Sequence, residues 1–121
     1  MKTCLVVDDS RVIRMGARKI LEDLGFDVTE AENGQIALDI CQKSLPDGVL
    51  LDWVMPVMDG LEFMKRMRAL PGGSETKVVF CSTESDVGRI REAIANGADE
   101  YIMKPFDSEI VRSKFIQVGL L

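Results

Sequence analysis

Five times along the chain a short strand-like run, wholly apolar at the centre of the set and alternating in the second, is followed by a stretch of helical periodicity, and this succession leaves few folds open. The first run, Thr3 to Val7, stops at Asp8 and Asp9. From Ser10 onward Ile13, Ala17, Ile20, Leu21 and Leu24 recur at the spacing of one helix face. Gly25 closes that helix, Asp27 to Ala31 reads as a second strand, and Asn33-Gly34 turns the chain into a helix from about Gln35 to Lys43. Pro46 follows, and Gly48 to Asp52 is a third strand, apolar until its last residue. Asp59-Gly60 opens a helix reaching Leu70, Pro71-Gly72-Gly73 breaks it, and Lys77 to Cys81 is a fourth strand. A turn from Ser82 to Asp86 leads to a helix from about Val87 to Asn96 and a short strand from Glu100 to Met103. The last helix is capped by Asp107 or Ser108 and carries Val111, Phe115 and Val118.

Apolar strands alternating with helices predict a parallel sheet covered on both faces. Crossovers of one hand leave few topologies, and the flavodoxin-like α/β order 2-1-3-4-5 is the usual solution for five βα units. At 121 residues the chain is one domain's worth, 1–121, with no room for a second. Its 46% hydrophobic and 29% charged residues are those of an ordinary globular protein. The net charge of −5 supplies no positive field to hold polyanions, so nucleic acid and anionic membranes are poor partners. Cys4, Cys41 and Cys81 lie far apart in apolar surroundings and are odd in number, which predicts buried thiols in a reducing compartment. With no histidine and no CxxC spacing, a zinc site is not expected. No apolar run reaches membrane-spanning length and nothing reads as a signal peptide, so the expectation is a cytoplasmic monomer.

In such a sheet the site lies beyond the carboxyl ends of the strands, beside the switch point between strands 1 and 3. The residues there are Asp8, Asp9, Asp52, Ser82 and Lys104. Each alone has an ordinary reading: Asp9 capping the first helix, Asp52 ending a strand, Ser82 starting a turn, Lys104 as a solvated charge. Together they read differently, because three acids at the edge of an apolar sheet repel one another unless a cation neutralises them. Mg²⁺ suits such a site, since it takes one or two carboxylates and keeps other positions for water and phosphate oxygens. Asp52 is then the candidate nucleophile for an acyl phosphate, with Lys104 and the Ser82 hydroxyl sharing the charge of the transferring phosphoryl group.

Val7-Asp8-Asp9-Ser10, the run from Leu51-Asp52 through Met55-Pro56 to Asp59-Gly60, Ser82-Thr83-Glu84 and Lys104-Pro105-Phe106 stand in the order found in receiver domains of two-component signalling. The chain resembles that family over its whole length, and the strand order given above rests in part on the same resemblance. The resemblance implies that Asp8, Asp9 and Asp52, with the main-chain carbonyl of Val54, hold Mg²⁺. It implies that Asp52 is phosphorylated, that Lys104 grips a phosphoryl oxygen, and that the peptide before Pro105 is cis. Ser82 would move toward the phosphate and Tyr101 would swing inward, unless Tyr101 is only a half-buried strand residue. The implied partners are a sensor histidine kinase or histidine phosphotransfer protein, and a downstream protein that docks on the fourth helix, fifth strand and last helix. Ile90 and Lys114 are candidates for that patch, with a core role open for Ile90.

Two departures from the family pattern bear on lifetime. Ser82 stands where threonine is commoner, and Val54 offers no polar group to position the hydrolytic water, a lack that Glu84 would partly supply. The expected behaviour is a signalling switch with slow self-dephosphorylation, not an enzyme with turnover. A haloacid-dehalogenase-like phosphatase would carry its two aspartates two apart after the first strand, whereas Asp8 and Asp9 are adjacent. A flavin-binding module would offer hydroxyls and amides there in place of carboxylates. With the last helix ending near Val118 no output domain is expected, which leaves a chemotaxis-type regulator or a relay intermediate and phosphate sink. The seven methionines are assigned mostly to packing.

Overall fold

The computed structural model describes residues 2–83 and 87–121. The elements follow the predicted alternation: β1 (Thr3–Val7), α1 (Arg11–Asp23), β2 (Asp27–Ala31), α2 (Gly34–Lys43), β3 (Gly48–Asp52), α3 (Gly60–Arg68), β4 (Lys77–Ser82), α4 (Val87–Ala95), β5 (Glu100–Met103) and α5 (Ser108–Gln117). All strand pairs are parallel, in the order β2-β1-β3-β4-β5. The flavodoxin-like expectation is met. Differences from the sequence reading are confined to ends: α2 begins at Gly34, α3 stops at Arg68, and β4 runs on to Ser82. The early end of α3 has a steric reason. Gly73 folds back against the last turn so closely that a Cβ there would lie 2.1 Å from the Met67 carbonyl oxygen.

The two-residue period of the strands sorts the core into two layers. Leu5, Val7, Val49, Leu51, Val78 and Phe80 face α2, α3 and α4, packing with Leu38, Phe63, Met64, Met67 and Ala93. Cys4, Val6, Leu50, Val79, Cys81 and Ile102 face α1 and α5, packing with Ala17, Leu21, Val111 and Phe115. This explains why the central strands β1, β3 and β4 are almost wholly apolar, both their faces being covered, whereas the edge strand β2 mixes buried Val28 and Ala31 with exposed Asp27 and Thr29. All three cysteines are free and buried, as expected. Met55, Met58, Met64 and Met67 are core residues, but Met15, on the outer face of α1, and Met103, on the edge strand, are exposed and fall outside the packing assignment.

Caps fix where the helices start. Ser10 accepts from the Ile13 N–H, Asn33 from Ile36, Asp59 from Glu62 and Asp107 from Ile110. Because Ser10 is the cap of α1, the ordinary reading of Asp9 as that cap does not hold. Asp107, not Ser108, caps α5.

Candidate phosphoacceptor and metal site

Extending the strand alternation by one step places the chemistry. Val6, Leu50 and Ile102 all point toward α1 and α5, so Asp8, Asp52 and Lys104, two residues on, leave their strand ends on that same side. Asp8 and Asp52 are buried, Asp9 is exposed, and oxygen atoms of the three lie within 4.8 Å of one another. Lys104 crosses from β5 and donates to Asp8 Oδ2 at 2.6 Å, with Asp52 Oδ1 3.4 Å away. The second Asp8 oxygen accepts from the Ser10 N–H at 2.9 Å, and Asp52 Oδ1 accepts from the Trp53 N–H at 2.9 Å. The Lys104–Pro105 peptide is cis.

Burial, then the neighbouring charge of Asp8, pushes the Asp52 carboxyl up to about 6, with Lys104 opposing the shift. Burial disfavours the charged Lys104, but its hydrogen bond to Asp8 and the fields of both acids outweigh that and hold the ammonium above its ordinary value. The pocket therefore carries more negative charge than one lysine balances. That surplus and the three carboxylates fit a hard divalent cation such as Mg²⁺. The thiol of Cys81, the cross-strand neighbour of Asp52, is pushed up to about 12 by burial.

The remaining predicted residues lie around this centre. Ser82 is buried at the end of β4, where its carbonyl accepts from the Lys104 N–H at 2.9 Å. Tyr101 is buried, its ring stacked on Phe80 at 6.4 Å between centroids. Phe80 in turn meets Trp53 at 5.1 Å, and the Arg89 guanidinium of α4 sits 5.4 Å from the Trp53 ring centre. An aromatic row thus runs from the residue after Asp52 to β5. Val54 is 64% exposed in the loop after β3, where Val57 adopts a positive φ of 72°. Ile90 packs partly buried against the core, and Lys114 pairs with Glu100 at 3.5 Å. Glu84 lies outside the described residues.

Sequence reasoning passed over Arg14 and Glu30. Arg14 donates to the Asp8 carbonyl oxygen at 2.7 Å and to Glu30 at 3.0 Å. A charge on the same stripe as Ala17 and Leu21, three and seven residues on, was the signal available in the sequence.

The fold and the site together define an α/β domain with a doubly wound sheet and an acidic cluster with a lysine at its strand ends. The chain belongs to the response regulator receiver domain family, whose model matches residues 4–115. It is 37% identical over 116 residues to a chemotaxis protein CheY homolog of Campylobacter jejuni, covering 94% of this chain and 89% of that one. The chemotaxis protein CheY of Listeria monocytogenes is 38% identical over 112 residues, 92% of each chain. Among solved structures, Vibrio cholerae CheY4 matches with a TM-score of 0.92 at 35% identity over 98% of both chains. The CheX–CheY–BeF3–Mg²⁺ complex of Borrelia burgdorferi matches with a TM-score of 0.90 at 25% identity, covering 97% of this chain and 88% of that one. Among the described residues, no helix is long and apolar enough to cross a membrane.

Proposed function

We propose that the chain is a phosphorylation-dependent signalling switch in a histidine–aspartate relay of the chemotaxis type. The observation that carries this is the placing of Asp52 beside Asp8 and within 3.4 Å of the Lys104 ammonium. An Asp52 carboxylate oxygen attacks the phosphorus of a phosphohistidine, the P–N bond breaks, and the imidazole leaves as the acyl phosphate forms. Asp8, Asp9, Asp52 and the Val54 carbonyl would hold Mg²⁺, which when bound would neutralise phosphoryl oxygens. Lys104, already turned toward Asp52, takes a share of that charge, and the Ser82 hydroxyl takes another. Ser82 and the row Trp53–Phe80–Tyr101 lead from the acceptor toward α4, β5 and α5, the proposed docking face for a partner protein. Phosphorylation there would bias two conformations, with coupling of about 1–3 kcal/mol. The relatives named as CheY support the chemotaxis reading over the phosphate sink.

Acetyl phosphate with Mg²⁺ is expected to add one phosphoryl group, visible by intact-protein mass spectrometry and absent in Asp52→Asn. An adduct that persists in that variant removes Asp52 from the role. In the same samples, amide shifts should concentrate in α4, β5 and α5; changes confined to α2 and its neighbours would contradict this routing.

A further inference from the structure

We infer that Arg14, braced by Glu30, is a positioning residue for the metal ligands: it fixes the peptide that joins Asp8 to Asp9 and so sets the affinity of the pocket for a divalent cation. The inference rests on the metal reading above. Asp8 and Asp9 sit at the point where β1 ends. The Asp8 N–H is still anchored, donating to the Ala31 carbonyl at 3.1 Å. Its carbonyl points the other way, toward α1, and there it accepts from the Arg14 guanidinium at 2.7 Å.

That carbonyl belongs to the Asp8–Asp9 peptide, so its direction determines where the Asp9 side chain starts. Asp8 is tied through both carboxylate oxygens, to Ser10 and Lys104. Asp9, by contrast, is exposed. Its place near the other two acids therefore depends on the peptide plane that Arg14 holds.

Arg14 is itself held. Its Nε donates to Glu30 Oε1 at 3.0 Å, with side chains 13% and 25% exposed. The other Glu30 oxygen accepts from Arg18 at 2.9 Å, and Arg18 also reaches Glu22 at 3.2 Å. A guanidinium suits the task because its fixed fork bonds a carbonyl and a carboxylate at once, which a lysine ammonium on a flexible stem does less rigidly. The bonds to Arg18 and then Arg14 hold the Glu30 carboxyl below its usual range despite partial burial, so the brace stays charged at neutral pH. Groups that orient metal ligands from behind commonly alter affinity by about 10–100-fold when removed.

The experiment is a Mg²⁺ titration of the purified chain followed by amide chemical shifts, with urea unfolding measured on each variant. Arg14→Met is expected to weaken Mg²⁺ binding about 10-fold or more. Arg14→Lys should recover part of the loss, and Glu30→Gln, which keeps an acceptor but loses the charge, should fall between. Arg68→Met serves as the control for general loosening, because Arg68 ties Gly73 and Gly97 carbonyls at the opposite end of the sheet. Unchanged affinity in both Arg14 variants overturns the inference, as does an equal loss in Arg68→Met. A wild-type chain that takes up no Mg²⁺ overturns the metal reading itself, an outcome distinct from either.

Discussion

Asp52 works under a strain of its own environment, and the strain should be measurable. Its folded-state carboxyl titrates near 6 against an ordinary 3.8, because burial and then Asp8 disfavour the charge. Between those values the folded protein binds a proton that the unfolded chain has released. Stability from this group therefore falls as pH rises through the window, and the penalty is fully present above about 6. In metal-free protein Asp52→Asn should be more stable than wild type at pH 7 by about 1–2 kcal/mol, a figure reduced for the water that reaches the pocket. Urea unfolding at several pH values checks this: the difference should vanish near pH 4 and shrink at neutral pH when Mg²⁺ is added. Val54 makes the second residue-scale case. Its exposed side chain offers no hydrogen bond to a hydrolytic water, so Val54→Asn should shorten the lifetime of the phosphorylated protein. The gain should be at most about tenfold, the ~1.4 kcal/mol of one hydrogen bond. An unchanged decay of labelled protein would leave Val54 only its carbonyl role.

At the scale of elements, the junction of β3 with α3 shows how closely the strand that ends at Asp52 is packed. The Gly60 N–H donates to the Trp53 carbonyl at 2.9 Å, and a Cβ on Gly60 would lie 2.2 Å from the Asp52 carbonyl oxygen. Gly60→Ala must push α3 and that strand apart. A loss of about 1–3 kcal/mol in urea unfolding is expected, together with slower labelling by acetyl phosphate. The same junction shows what was legible beforehand. Strand and helix existence could be read because the helices have apolar faces, four of them with a side-chain cap, and the central strands are apolar runs, while β2 shows itself by alternation. The side of the sheet on which Asp8, Asp52 and Lys104 gather could be read too, since Val6, Leu50 and Ile102 stand two residues before them. Contacts between elements were not legible. The Arg14–Glu30 brace and the seat of Arg89 over Trp53 depend on how α1 and α4 are rotated against the sheet, which local periodicity does not fix.

For the molecule as a whole, the sheet separates two layers of core, and in the layer of α1 and α5 Phe26, in the turn between α1 and β2, meets Phe115 of α5 edge to face at 5.5 Å. Phe115→Ala should cost about 3–5 kcal/mol in thermal or urea unfolding, because it opens a void in the thinner layer. Loss of that layer should also slow phosphorylation, since Asp8 and Asp52 open on the same side.

The hydrogen bond between Lys104 and Asp8 spans 96 positions of the chain. During synthesis the three aspartates leave the ribosome long before their lysine, and the sheet cannot deliver Lys104 until β5 has docked on β4. A half-made molecule thus has the proposed acceptor without its counter-charge. Chains stalled before Glu100 should stay unmarked by acetyl phosphate, whereas chains extended past Leu121 by a linker should label normally. If the proposed switch is right, the long-range bond would turn phosphorylation into a readout of whether β5 is in place.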